Sequence, residues 1–169
     1  MTSTATVLVA DDDAGMRESL ARVLRREGFQ VLAAEDGSAA LDALRRSRID
    51  LLIADLRMPG LDGLELLRAA RLVTPDTAVL MLSGHGTVEE AVQALKEGAY
   101  DFLTKPTDRA PLLRVVRQAL GHQALVLENR SLQRRLDALA QAGEVIGQSP
   151  AIRAVMELVR QVAPTAARC

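Results

Sequence analysis

Among 169 residues this sequence has one cysteine, no tryptophan, one tyrosine, two phenylalanines and only two lysines, Lys96 and Lys105. A lone Cys169 excludes an internal disulfide, so any core must be closed by packing alone. No apolar run approaches the roughly 18 residues of a membrane span, and no signal-peptide pattern opens the chain. A cytoplasmic protein without a membrane partner is therefore expected. Neither lysine follows a glycine, which excludes a G-x-x-x-x-G-K-[ST] phosphate loop. Two distant histidines without paired cysteines argue against a zinc site. Charge of one sign is also lacking: 21 Lys+Arg face 22 Asp+Glu. Residues 1–120 hold 15 basic and 18 acidic side chains, residues 121–169 six and four. Neither part is basic enough for a domain that wraps nucleic acid.

What the chain has is hydrophobic residues, 49% of the total, and they are patterned. Five short apolar runs, at 6–10, 30–34, 50–54, 77–82 and 101–104, suit strands buried on both faces. Between and after them apolar residues recur three and four apart. Met16, Leu20, Val23 and Leu24 make one such face; Leu112, Val115, Val116 and Ala119 make the last. Gly28, Pro75 and Gly98 are placed to end helices. Strict strand-helix alternation implies an α/β fold: a five-stranded parallel sheet with helices on both faces. Its functional crevice belongs at the carboxyl ends of the strands. No GxGxxG follows the first run, which disfavours dinucleotide binding.

After residue 120 the pattern changes to a helical linker. Leu125, Asn129, Leu132, Leu136 and Leu139 are spaced 4, 3, 4, 3, the seam of a coiled coil. A dimer through this helix is expected; the alternative is a helix packed once on its own domain. Gly121 weakens the junction with the preceding helix, and Ala142-Gly143 is expected to break the linker helix. Ser149-Pro150 then starts another helix, with Ser149 as N-cap. The division expected is 1–120, 121–142 and 143–169, the last segment being the cut start of a further domain.

Polar residues gather at the strand ends. Asp11 and Asp12 close the first run, Asp55 the third and Ser83 the fourth, while Lys105 follows the fifth. Two like charges about 4 Å apart cost roughly 4 kcal/mol at an effective dielectric near 20. Three carboxylates in one crevice thus require protonation, Lys105 or a divalent cation. An all-oxygen set with few ligands suits Mg²⁺. A carboxylate beside such an ion can attack a phosphoryl group, with Lys105 and the Ser83 hydroxyl holding its oxygens. Taken singly, Asp11–Asp13 could cap a helix, as Asp13 is expected to do, and Asp55 could be a turn residue.

VLVADDD at 7–13, AEDGSAAL at 34–41, LLIADLRMPGLDGLELL at 51–67, LMLSGHG at 80–86 and GAYDFLTKP at 98–106 resemble the receiver domain of two-component response regulators. The resemblance implies a flavodoxin-like strand order, 2-1-3-4-5. It implies Asp55 as phosphoacceptor for a sensor histidine kinase, and Mg²⁺ held by Asp12, Asp55 and the main-chain carbonyl of Arg57. Asp11 would act mainly through a bound water. Ser83 takes the switch-hydroxyl position, Lys105 contacts the phosphoryl group and precedes a cis Pro106, and Phe102 fills the aromatic switch position. Having no hydroxyl, Phe102 can act there only by packing, and it serves equally as a plain core aromatic. A narrower resemblance, EVIGQSPAIRAVMELVRQVAPTAA at 144–167, is to the opening of the AAA+ ATPase domain of sigma-54-dependent activators of the nitrogen-regulatory-protein-C type. It implies that sigma-54 RNA polymerase and DNA are met only through domains outside this chain. His85 is expected to shape its loop and His122 to be solvated. Two rival functions share parts of this pattern. One is an aspartate-nucleophile phosphatase, disfavoured because the first run lacks D-x-D-x-[TV]; the other is a constitutive dimerisation module, disfavoured by the intact acidic and lysine positions.

Overall fold

In a computed structural model, the chain is described over residues 4–147 and 150–162. Five strands alternate with helices: β1 Thr6–Ala10, α1 Ala14–Arg26, β2 Gln30–Ala34, α2 Gly37–Arg46, β3 Leu51–Asp55, α3 Gly63–Val73, β4 Ala78–Ser83, α4 Val88–Lys96, β5 Asp101–Thr104, α5 Arg109–Gly147 and α6 Pro150–Val162. All pairings are parallel and the order is β2-β1-β3-β4-β5.

The two-residue period of the strands sorts their side chains between two cores. Leu8, Ala10, Leu52, Ala54, Val79 and Met81 face α2, α3 and α4, meeting Ala40, Leu44, Leu66, Leu67, Ala70 and Ala94. Val7, Val9, Leu51, Ile53, Leu80 and Leu82 face α1 and α5, meeting Leu20, Leu24, Leu112, Val115, Val116 and Ala119. Full burial on both faces holds for β3 and nearly for β1 and β4, but not for β2, where only Ala34 is buried, or for β5. The reason is position: β2 and β5 are the edges of the sheet and have a neighbour on one side only.

Helix ends follow local chemistry. Asp13 caps α1 by accepting from Met16 N at 3.0 Å, as its place before the helix implied. Asp36 caps α2, and Asp62-Glu65 and Thr87-Glu90 form complete capping boxes on α3 and α4. Gly28 and Gly98, with φ of 91° and 103°, turn the chain after α1 and α4, and α3 ends before Pro75. Glu27, at the C-cap of α1, accepts from Arg109 and Arg117 of α5.

The chain divides into one unit reaching Leu125 and another starting at Val126. In the first unit, His122 packs on Tyr100, ring centroids 5.6 Å apart, and Gln123 Nε2 donates to Asp76 O at 2.6 Å. His122 is exposed, as expected, yet it is also a packing residue. Helix α5 runs unbroken through Gly121 and Gly143 to Gly147, where a break at Ala142-Gly143 was expected. A single glycine costs a helix only about 1 kcal/mol, too little to stop it without a competing cap or proline. In the second unit Leu132, Leu136 and Leu139 are exposed on α5, and Val155, Met156, Leu158 and Val159 on α6. The N-cap assigned to Ser149 lies outside the described residues. No helix among the described residues is long and apolar enough to cross a membrane.

Candidate functional site

The five parallel strands end at one lip of the sheet, and β1 and β3 deliver the acids there. Asp11 and Asp12 follow β1 directly, Asp55 is the last residue of β3, and their oxygens lie within 4.8 Å of one another. Asp11 is almost fully buried, Asp55 nearly so, and Asp12 is exposed. Lys105, just beyond β5, brings Nζ to 2.6 Å from Asp11 Oδ2 and 3.4 Å from Asp55 Oδ2. Its peptide bond to Pro106 is cis. One half-buried ammonium thus sits against two of the three clustered carboxylates. Both oxygens of Asp11 are engaged, since Oδ1 accepts from Asp13 N at 2.9 Å. Arg17 Nη1 donates to the Asp11 carbonyl at 2.6 Å and fixes the turn out of β1.

The electrostatics follow from burial. Desolvation, reinforced by the charge of Asp11, pushes the Asp55 carboxyl above its usual value, and Lys105 only partly opposes this. Burial also works against the charge on Lys105, but its hydrogen bond and attraction to Asp11, then Asp55, outweigh burial and raise its pKa. The Asp55 carboxylate also accepts from the main-chain N–H of Arg57.

Ser83 ends β4, buried, beside Thr104 of β5; its carbonyl accepts from Lys105 N at 2.7 Å and its hydroxyl from His85 N at 3.3 Å. His85 is exposed and braces this loop through its main chain. Phe102, on the neighbouring strand, is half-buried against the core shared with α2, α3 and α4. Asp55 is closely backed: a Cβ on Gly63, the first residue of α3, would stand 2.3 Å from the Asp55 carbonyl and 2.7 Å from Leu56 Cα. Only glycine lets α3 start so near the end of β3.

Two features escaped sequence reasoning. Arg57, singled out only for its carbonyl, sends its guanidinium to Glu90 of α4, Nη2 to Oε1 at 3.0 Å. Glu90 also belongs to the α4 capping box, for which the Thr87-x-x-Glu90 spacing was an available signal. The residues expected to form a dimer seam, Leu125, Asn129, Leu132, Leu136 and Leu139, lie on α5, away from this cluster in sequence, and are exposed.

Comparisons with known proteins agree with the fold. The family model described as "Response regulator receiver domain" matches residues 7–117. The C4-dicarboxylate transport transcriptional regulatory protein DctD of Rhizobium meliloti is 35% identical over 165 residues, covering 98% of this chain and 36% of its own. The chain therefore spans about a third of the length of that relative. A receiver domain structure from Clostridium thermocellum superposes with a TM-score of 0.69 at 33% identity, over 72% of this chain and 98% of that one. The beryllofluoride-activated NtrC4 receiver domain dimer does so with a TM-score of 0.67 at 31% identity, over 70% and 98%.

Proposed function

From the premise that this chain belongs to the response regulator receiver family, we propose that Asp55 accepts a phosphoryl group from a sensor histidine kinase. The observation that carries this reading is the half-buried Lys105 bridging Asp11 and Asp55. It marks where negative charge is stabilised beside a carboxylate that is itself uneasy as an anion. An Asp55 oxygen forms the new bond to phosphorus as the donor's nitrogen–phosphorus bond breaks, its electron pair staying on the histidine nitrogen. Lys105 neutralises phosphoryl oxygens, and Ser83 offers a hydroxyl to another.

The donor set suits Mg²⁺: carboxylate oxygens only, one of them exposed, with charge left uncompensated by Lys105. Asp12, Asp55 and the main-chain carbonyl of Arg57 would hold it, Asp11 acting through water because both its oxygens are already engaged. Bound there, Mg²⁺ would supply Lewis-acid neutralisation of phosphoryl charge. The later loss of the phosphoryl group to water returns the free carboxylate, so the domain acts as a timed switch rather than as an enzyme on a separate substrate.

Switching would act on a homodimer built through the seam of α5, from Leu125 to Leu139, with a contribution from the receiver itself. The exposed leucines on α5 support the seam, and the dimer formed by the NtrC4 receiver domain supports a receiver contribution. The division proposed is a receiver over 1–120, a linker over 121–142 and the start of an AAA+ domain from 143. The output is control of a sigma-54-activating ATPase, supported by the resemblance of 144–167 and by the DctD relatives.

The test is incubation of the whole chain with acetyl phosphate and Mg²⁺, followed by intact-mass measurement and peptide mapping. One phosphoryl group on Asp55, absent in Asp55→Asn and in metal-free buffer, is expected. An unmodified chain with Asp12 and Lys105 intact would overturn the reading. Phosphate-ester turnover surviving in Asp55→Asn would point to the phosphatase rival.

A further inference from the structure

Helix α4 is thinly anchored. Only Ala94 of its nine residues is buried in the core, while Val88, Val92 and Leu95 are exposed. Apolar burial therefore does little to hold it, and ion pairs at its two ends count for more. At the C-terminal end Glu97 accepts from Arg68 of α3 through both oxygens, at 2.7 and 2.8 Å. At the N-terminal end Glu90 has its two oxygens divided between tasks. Oε2 accepts from Thr87 N at 3.1 Å and completes the cap, while Oε1 accepts from Arg57 at 3.0 Å.

Arg57 is the informative partner. It stands two residues after Asp55 in the β3–α3 loop, and its own N–H donates to the Asp55 carboxylate. One residue thus touches Asp55 with its backbone and α4 with its side chain. The guanidinium is mostly exposed, 74% against 24% for the Glu90 side chain, so the mobile half of the pair is the arginine. A phosphoryl dianion on Asp55 is a stronger hydrogen-bond acceptor for a guanidinium than a single carboxylate oxygen.

We propose that Arg57 is a positioning residue that latches α4 to the phosphoacceptor loop through Glu90, and that charge gained at Asp55 draws the guanidinium away and frees the first turn of α4. The latching half stands on geometry alone; the release half rests on the phosphoacceptor reading above. An exposed ion pair shifts a local opening equilibrium by up to about five-fold, which is enough to matter in a helix with one buried residue.

Hydrogen exchange on the full chain separates the two halves. Without any modification, Arg57→Ala and Glu90→Gln should exchange the first-turn amides of α4 about two- to five-fold faster than the wild type. Glutamine keeps the capping box, so faster exchange in Glu90→Gln reports the latch and not the cap. Combining Arg57→Ala with Glu90→Gln should exchange no faster than either single variant, because both break the same contact, whereas independent structural roles would add. Unchanged exchange in both single variants, or additive acceleration in the double variant, overturns the latch. With beryllofluoride and Mg²⁺, the wild type should gain exchange in this turn and Arg57→Ala should gain less. Equal gains, with beryllofluoride shown to be bound, overturn release; a wild type that binds none speaks against the phosphoacceptor reading instead.

Discussion

Asp55, the proposed phosphoacceptor, is held where an anion is poorly solvated. Its folded-state pKa lies above the usual value, through burial first and Asp11 next. In metal-free solution the folded state therefore binds the proton more readily than the unfolded chain. The stability Asp55 contributes is full below the unfolded value and is lost as pH rises through the folded one. Asp55→Asn, neutral at every pH, should accordingly melt higher than the wild type at pH 7 in EDTA. The gap should close as pH falls through the carboxylate range; equal melting at both pH values would contradict this account. That Asp55, Asp12 and Lys105 would meet was legible in the sequence, because each sits at the end of an apolar run and parallel strands bring such ends together. Which acid Lys105 prefers was not legible. The 2.6 Å to Asp11 against 3.4 Å to Asp55 depends on side-chain reach across the lip, between residues far apart in the chain.

The elements differ in how they are tied to the sheet. Helix α3 starts directly behind Asp55, and its first residue has no room for a side chain. Gly63→Ala would drive a Cβ into the Asp55 carbonyl and the Leu56 backbone, with Met81 Cε at 2.7 Å. Backbone cannot yield as a flexible side chain can, so a loss of about 1–3 kcal/mol in urea unfolding is expected. Phosphorylation of the variant should also slow, because the strain falls on Asp55 itself. Helix α4 is the opposite case, held by ion pairs more than by packing. Helix α5 illustrates where periodicity misleads: Gly121 and Gly143 read as weak points, yet a glycine inside a long helix is a modest cost and the helix continues.

At the scale of the molecule, assembly and metal linkage are the quantities to measure. An isologous seam places each linker leucine opposite its own copy in the partner or nearly so. Leu132→Asp would bury like charges there and should shift the mass in light scattering from dimer to monomer; an unchanged mass would remove the coiled coil. Mg²⁺, binding the folded state alone, should raise stability by about 2.7 kcal/mol at a hundred times its dissociation constant. Asp12→Asn and Asp55→Asn should each lose most of that gain in thermal melts, whereas a cluster serving only as a helix cap would show no gain to lose.

Local pattern by itself determined the alternation of strands and helices, their approximate ends, and the gathering of acids and lysine at one lip. Those features follow from two- and 3.6-residue periods and from caps, which act over a few residues. Tertiary structure alone decided how little of β2 and β5, the edges in that strand order, is covered, and that α5 runs unbroken past its glycines. It also decided that Arg57 leaves its loop to pair with Glu90, 33 residues later. These outcomes turn on which surfaces meet across the sheet and on how long side chains divide their hydrogen bonds, and no local period carries that information.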